Sequence, residues 1–262
     1  MKYAIKNLEL VSESELTVPL TRKEVFFSFS VYESLSVRNG KLKDGVDHVE
    51  RFFESADLLG LSHPLTEEAV IKSLGLLIDK NNITNCTIKL QLIGGDNPLF
   101  FAFGAPAPVY PDKYYTGGAK VVSYEGERIM PRVKSNCLLL NYLASRYAAE
   151  NDALDALLVN RNGDVMEGSR CNVFACKENT LYTPGDNVLF GVTRKHVIEL
   201  ADEMGYDVVY EDLGLEEMKS AFYDEIFITS TSMGAVPVRM IDDIIIGNSF
   251  PVSARFNSSG GL

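Results

Sequence analysis

The sequence predicts an α+β or mixed α/β protein of two domains, on three grounds. Its 262 residues suffice for one large core or two modest ones, and two is the better expectation at this length. The stretch "APAPVYPDKYYTGG" (105–118) holds three prolines and closes on Gly-Gly, a composition that suits a connection between domains. Both sides of this break mix period-two and helical patterns. The expected division is a smaller N-terminal domain at 1–107, a connection at 108–118 and a larger C-terminal domain at 119–262.

Ahead of the break, "VYESLSVRNGKL" reads as a strand, an Asn-Gly turn and a second short strand. Val46, Val49, Phe52, Phe53, Ala56 and Leu59 then form a helical stripe, with Asp44 as N-cap and Gly60 as stop. A second helix follows Thr66, and "NCTIKLQLIGG" and "LFFAFG" read as strands. After the break come a strand in "AKVVSYEG" and a helix in "MPRVKSNCLLLNYLASRYAAE", with Lys134 in its first turn. "ALDALLVNRNGDVMEG" and "NVFACKENTLYTP" each predict two strands around a polar turn. "VTRKHVIELADEMG" predicts a helix, "YDVVYED" a strand, "GLEEMKSA" a short helix and "DEIFITSTS" a strand running into a hydroxyl-rich turn. The tail "NSSGGL" is expected to fray.

Composition narrows the function. The chain is 46% hydrophobic and 23% charged, as in an ordinary globular protein, and its formal net charge of -11 disfavours nucleic acid or an anionic membrane as partner. The four cysteines form no CxxC pair, and the three histidines are scattered, so neither a metal site nor a disulfide framework is expected. The N-terminus lacks the apolar core of a signal peptide or membrane span, which makes the cytoplasm the expected compartment.

Several residues could carry chemistry. An amine at a helix start faces the positive end of the dipole; the bland reading of Lys134 is a lysine that reaches water, the functional one a neutral nucleophile. Glu167 stands beside a Gly-Ser turn and is either a solvated loop acid or a partner for a heteroaromatic nitrogen. Gly191 and Thr193 open a helix, where free N–H groups welcome an anion. Ser230, Thr231 and Ser232 follow a strand; a polar turn or an anion cup would both use them. Arg51 lies three residues after His48 on one helix, so both can share a face.

In order and spacing, "DHVERFFESADLLG", "RVKSN", "MEGSRCNVF", "FGVTRKHV" and "DEIFITSTSMGAVPVRMID" resemble the class IV aminotransferases. These are fold-type IV enzymes that use pyridoxal 5'-phosphate, with a C-terminal domain built as a mixed, barrel-like sheet with helices. The resemblance implies that Lys134 forms a Schiff base with the cofactor and later shuttles the proton. It implies that Glu167 faces the ring nitrogen, that Asn172 shapes the wall behind it, and that Arg51, Gly191, Val192, Thr193, Ser230, Thr231 and Ser232 serve the phosphate. Tyr32, Arg132 and Arg170 fall on the substrate side. Amino acid and 2-oxo acid substrates and a homodimer are implied in the same way.

The sequence also departs from relatives. A tyrosine that some carry five residues after the lysine is Leu139 here. The arginine with which D-amino acid enzymes trap the substrate carboxylate is absent from "LQLIGGDNP", which has Gly94 and Gly95 instead; this argues against D-amino acid specificity. Arg22, Arg128, Arg132 and Arg170 are the candidate carboxylate partners. The usual glycine-rich "yGdgvFE" stretch reads "FSFSVYES". The expected activity is transamination. Aminodeoxychorismate lyase, which releases pyruvate and 4-aminobenzoate with the same lysine, is the alternative within the family. A non-catalytic binding module is the alternative outside it.

Overall fold

The computed structural model describes residues 1–259 and divides into two compact units: Met1–Pro108 with Val133–Cys137, and Val109–Arg132 with the chain from Leu138 onward. The short segment around Lys134, expected on the C-terminal side, packs with the first unit.

The first unit contains β1 (Tyr3–Lys6), β2 (Glu9–Ser12), α1 (Lys23–Phe26), β3 (Ser30–Arg38), β4 (Lys41–Leu42), α2 (Gly45–Leu58), α3 (Glu67–Asn81), β5 (Cys86–Ile93) and β6 (Leu99–Ala105). They form a six-stranded sheet in the order β2-β1-β6-β5-β3-β4, antiparallel throughout. Asn39 and Gly40 both take positive φ (49° and 76°), as the tight β3–β4 hairpin requires. The helical stripe of α2 supplies Val49, Phe52 and Ala56, and α3 supplies Val70, Leu74 and Leu77. Both pack on Val31, Leu35, Ile88 and Leu90 of the sheet. Thr66 caps α3 through the Ala69 N–H (3.3 Å).

The second unit contains α4 (Lys113–Gly117), β7 (Ala119–Glu125), α5 (Leu139–Glu150), β8 (Asp155–Val159), β9 (Asp164–Gly168), β10 (Asn172–Lys177), β11 (Thr180–Thr183), α6 (Val192–Glu203), β12 (Asp207–Tyr210), β13 (Leu213–Gly214), α7 (Leu215–Lys219), β14 (Glu225–Ser230), β15 (Gly234–Ile241), β16 (Ile244–Ile245) and α8 (Pro251–Ser258). Its ten-stranded sheet runs β12-β11-β10-β14-β15-β7-β8-β9-β13, with β16 on β15. The β11–β12, β15–β7 and β7–β8 pairs are parallel and the rest antiparallel, the mixed sheet expected of this half.

Three expectations are corrected. Lys134 is not in a helical turn, because α5 begins only at Leu139. Its segment is extended instead: the Tyr32 N–H donates to Lys134 O (2.9 Å) and the Asn136 N–H to Ser30 O (3.0 Å), while Ser135 bridges Val31. A main chain satisfied by β3 cannot also make the first turn of a helix. The break at 105–118 is not an open connection: it contains α4, and Tyr110, Tyr114 and Tyr115 pack against the second core. In the tail, Asn257 and Ser258 belong to α8, with the Asn257 amide donating to Ala235 O (2.6 Å); residues 260–262 lie outside the described residues.

Cys86, Cys171 and Cys176 are buried and Cys137 is exposed, all as free thiols. Among the described residues, no helix is long and apolar enough to cross a membrane and no cluster of three or more metal-ligating side chains occurs.

Candidate active site

In the first unit, Lys134 is fixed from two sides. Its carbonyl accepts from Tyr32 of β3, and its N–H donates to Ser55 Oγ of α2 (3.1 Å). The amine stands over the Tyr32 ring, 4.7 Å from its centroid. Tyr32 and Lys134, expected as substrate-side aromatic and reactive amine, are therefore brought together.

Arg51 is 8% exposed. Glu33 grips one edge of it, accepting from Nε at 2.9 Å and from Nη2 at 2.8 Å. His48 Nδ1 lies 3.3 Å from the same carboxylate. Sequence reasoning places His48 and Arg51 on one face but misses Glu33. The signal is there: on β3, Val31, Glu33, Leu35 and Val37 share a parity, and an acid on the inward face of an alternating strand needs a cation. Burial raises the Glu33 pKa, but Arg51, the adjacent His48 and Lys134 outweigh it and hold the carboxyl well below its usual range.

Lys89 is missed as well. It sits opposite Ser34 in the β3–β5 ladder and donates to Ser34 Oγ (2.7 Å). Burial, the largest cause, and the nearby Lys134 push its pKa down from the ordinary lysine range, against Tyr32 and Glu33. A lysine in the middle of an apolar strand is the available signal.

In the second unit, Glu167 ends up buried on β9. One oxygen accepts from Arg128 (2.8 Å) and the other from the Leu189 N–H (3.0 Å). Arg128, a candidate carboxylate partner from sequence, is thus held by Glu167 and by Pro131 O (3.0 Å). A cavity of about 90 Å³ lies beside the pair, lined by Arg128, Pro131, Asn160, Met166 and Asn187. Arg132 stacks on Phe190, its guanidinium carbon 3.5 Å from the ring centroid. Arg170 is mostly exposed and donates to Leu154 O (3.2 Å). In the first unit Arg22 is committed to the Gly94 and Asn97 carbonyls.

Asn172, Gly191, Val192 and Thr193 come together at the start of α6, while Ser230, Thr231 and Ser232 form the turn after β14. Gly191 is its N-cap and offers no side-chain cap; the first helical bond is Lys195 N–H to Gly191 O (2.9 Å). Helix geometry leaves the N–H groups of Val192, Thr193 and Arg194 without intrahelical partners. Asn172 anchors the preceding loop by donating to Leu189 O (2.8 Å). It faces Thr229 across the β10–β14 ladder, and the buried Thr229 hydroxyl has no partner. An orphaned hydroxyl and N–H groups left over at a buried helix start are what an oxyanion would satisfy. The residues present fit a phosphate-bearing cofactor.

Arg194 locks the same loop. It donates to Pro184 O (2.9 Å), its guanidinium carbon stands 5.2 Å from the Phe190 ring centroid and 5.5 Å from that of Tyr210, and burial pushes its pKa down from the usual arginine value. Gly191 must stay small for a steric reason only: its φ is -64°, yet a Cβ there would collide with Asn172 Oδ1. Gly191→Ala is expected to cost about 1–3 kcal/mol, as overpacking does. Urea denaturation of G191A, and of G191A with Asn172→Ala, tests this; the second change should relieve much of the loss.

The fold is that of branched-chain amino acid aminotransferases. The Escherichia coli enzyme superposes with a TM-score of 0.88 at 23% identity, over 98% of this chain and 92% of that one. The enzyme of Thermoproteus uzoniensis, solved with norvaline, gives the same TM-score, identity and shares. A further branched-chain enzyme, solved with pyridoxamine 5'-phosphate, gives 0.88 at 22% identity over 98% and 92%. Residues 30–241 match the family described as amino-transferase class IV, and the chain belongs to that family. It is 30% identical to D-alanine aminotransferase of Bacillus licheniformis, over 94% of this chain and 90% of the relative. It is 32% identical to a probable branched-chain-amino-acid aminotransferase of Rickettsia bellii, over 92% and 87%. Membership of an aminotransferase family makes the chain an enzyme, and the lyase reading is not favoured.

Proposed function

We propose that the chain transfers amino groups between an amino acid and a 2-oxo acid with pyridoxal 5'-phosphate as cofactor and Lys134 as the amine that holds it. When bound, the cofactor supplies an aldehyde and an electron-withdrawing ring that stabilises negative charge next to the reacting carbon. Lys134 is the nucleophile toward that aldehyde and, once released, the base that takes the substrate α-proton and gives it back. Glu167, charge-paired with Arg128, serves the ring nitrogen. Val192, Thr193, Thr229 and the Ser230–Ser232 turn serve the phosphate, and the family resemblance gives Arg51 the same task. Glu33 grips one edge of Arg51 and so sets the plane in which the guanidinium can meet an anion. Tyr32 stands on the substrate side with Arg132.

The observation that carries this reading is the Lys134 amine, set over Tyr32 on main chain that β3 and α2 both hold. Homodimerisation belongs to the same reading through the family resemblance, and a cytoplasmic location through the character of the N-terminal residues. The missing arginine at Gly94–Gly95 sets this chain's carboxylate recognition apart from that of D-amino acid enzymes, despite the D-alanine relatives.

The test is a half-reaction screen. Protein loaded with pyridoxal phosphate is mixed with single D- and L-amino acids, and conversion to pyridoxamine phosphate is followed by absorbance. At least one small amino acid should convert the cofactor stoichiometrically. Retained cofactor that no amino acid converts would sink the proposal.

A further inference from the structure

The turn that closes β14 is latched by two tyrosines from the stretch that composition marks as a connection. Tyr110 Oη lies 3.0 Å from Ser232 Oγ, and Ser232 Oγ lies 3.3 Å from Ser230 Oγ. Tyr115 Oη donates to Met233 O at 3.0 Å, fixing the main chain of the same turn. Tyr110 and Tyr115 are themselves packed on the second unit's core, next to buried Met233. The order of the hydroxyls has a polarity. A phenol is far more acidic than a serine hydroxyl and is the better donor. With Tyr110 donating to Ser232, the Ser232 hydrogen is available to Ser230, and the Ser230 hydrogen is left for another acceptor. Chained hydroxyls polarise one another, which strengthens the last donor.

We propose that Tyr110 is a positioning residue: through Ser232 it orients the Ser230 hydroxyl as a donor to an oxyanion. The inference rests on the reading of Ser230–Ser232 as part of the binding site. The oxyanion is either the cofactor phosphate or the substrate carboxylate, which share the chemistry of a charged oxygen acceptor. Tyr115 holds the turn's backbone at Met233 O, and Tyr110 holds the hydroxyl of Ser232.

The experiment uses the whole chain as wild type, Tyr110→Phe, Ser232→Ala and the double variant. Apo-protein is titrated with pyridoxal phosphate and separately with inorganic phosphate. Holo-protein is assayed for kcat and for KM toward an amino donor and an oxo acid, and thermal unfolding tests for intact folding. Y110F should lose about 3- to 10-fold in oxyanion affinity, the worth of one hydrogen bond, with kcat per bound cofactor unchanged. Weaker pyridoxal phosphate and phosphate binding assigns the donor to the phosphate; raised KM alone assigns it to the carboxylate. The double variant should be no worse than either single one, since both break the same chain. Affinities and KM equal to wild type, or additive losses, overturn the inference. Wild type that retains no cofactor after borohydride reduction overturns the functional reading, and this inference with it. A wild type that retains cofactor beside an indistinguishable Y110F overturns the inference alone.

Discussion

Lys134→Ala is expected to retain no pyridoxal phosphate after borohydride reduction and to lose at least about 10²–10⁴-fold in transamination rate, the contribution of a positioned acid–base group alone. The reason to expect a clean result is that the amine does not hold the segment together. The bonds that pin residues 134–136 use main-chain atoms: Tyr32 N–H to Lys134 O, Asn136 N–H to Ser30 O, and Lys134 N–H to Ser55 Oγ. Alanine keeps them all. What it removes is the amine over the Tyr32 ring. Mass spectrometry after reduction, steady-state rates and circular dichroism together separate chemistry from folding. A variant that is folded and transaminates at the wild-type rate would refute the assignment.

Glu33→Gln is expected to destabilise the protein by about 3–5 kcal/mol at neutral pH, the cost of removing one member of a buried ion pair. Glu33 is 0% exposed, and Arg51 and His48 both turn toward it. A glutamine cannot balance the guanidinium, and its amide offers hydrogens where the carboxylate accepted them. The pH dependence follows from the same geometry. Arg51, the adjacent His48 and Lys134 overcome the opposing effect of burial and hold the folded-state carboxyl below its ordinary value of 4.5. The unfolded chain therefore binds more protons in the acid range, and stability rises with pH there. The contribution is complete above about 4.5 and fades as pH falls toward the folded-state value. Wild type and E33Q should differ most at neutral pH and converge on acidification, as read by urea denaturation at both ends. A gap that stays constant would show that Glu33 acts through shape and not through charge.

Some of this is legible from residue order. The apolar stripe of α2, its stop at Gly60 and the Thr66 cap of α3 are local signals, read by contacts one or two turns apart. The Asn-Gly hairpin is local too. The helix near Lys134 is misplaced by its pattern because apolar periodicity marks where a helix can form, not where it starts. Leu139 is 70% exposed, so the leucines after Cys137 do not mark a buried helix start as their pattern suggests. The strands β1 and β2 give too little pattern to be read, since each is short and β1 finds its sheet partner at β6.

The site divides along the same line. Residue types in family order point to an amine, an acid and anion donors, and the first turn of α6 can be placed from Gly191 and Thr193. Glu33 and Lys89 go unread because their meaning lies in what a strand's inner and outer faces meet. The Pro- and Gly-rich break is read by its breakers, whereas its tyrosines are what anchor it in the second core.

By itself the sequence determined the kinds of chemistry available, most of the longer strands and helices, and the family. Only the tertiary structure decided that Lys134 sits on extended chain beside β3, that Arg51 is gripped by Glu33, and that Tyr110 reaches Ser232, 122 residues away. The physical reason is that propensity and periodicity act over a few residues. The partner of a buried charge or hydroxyl is chosen by burial itself, which brings together whichever distant groups can satisfy it.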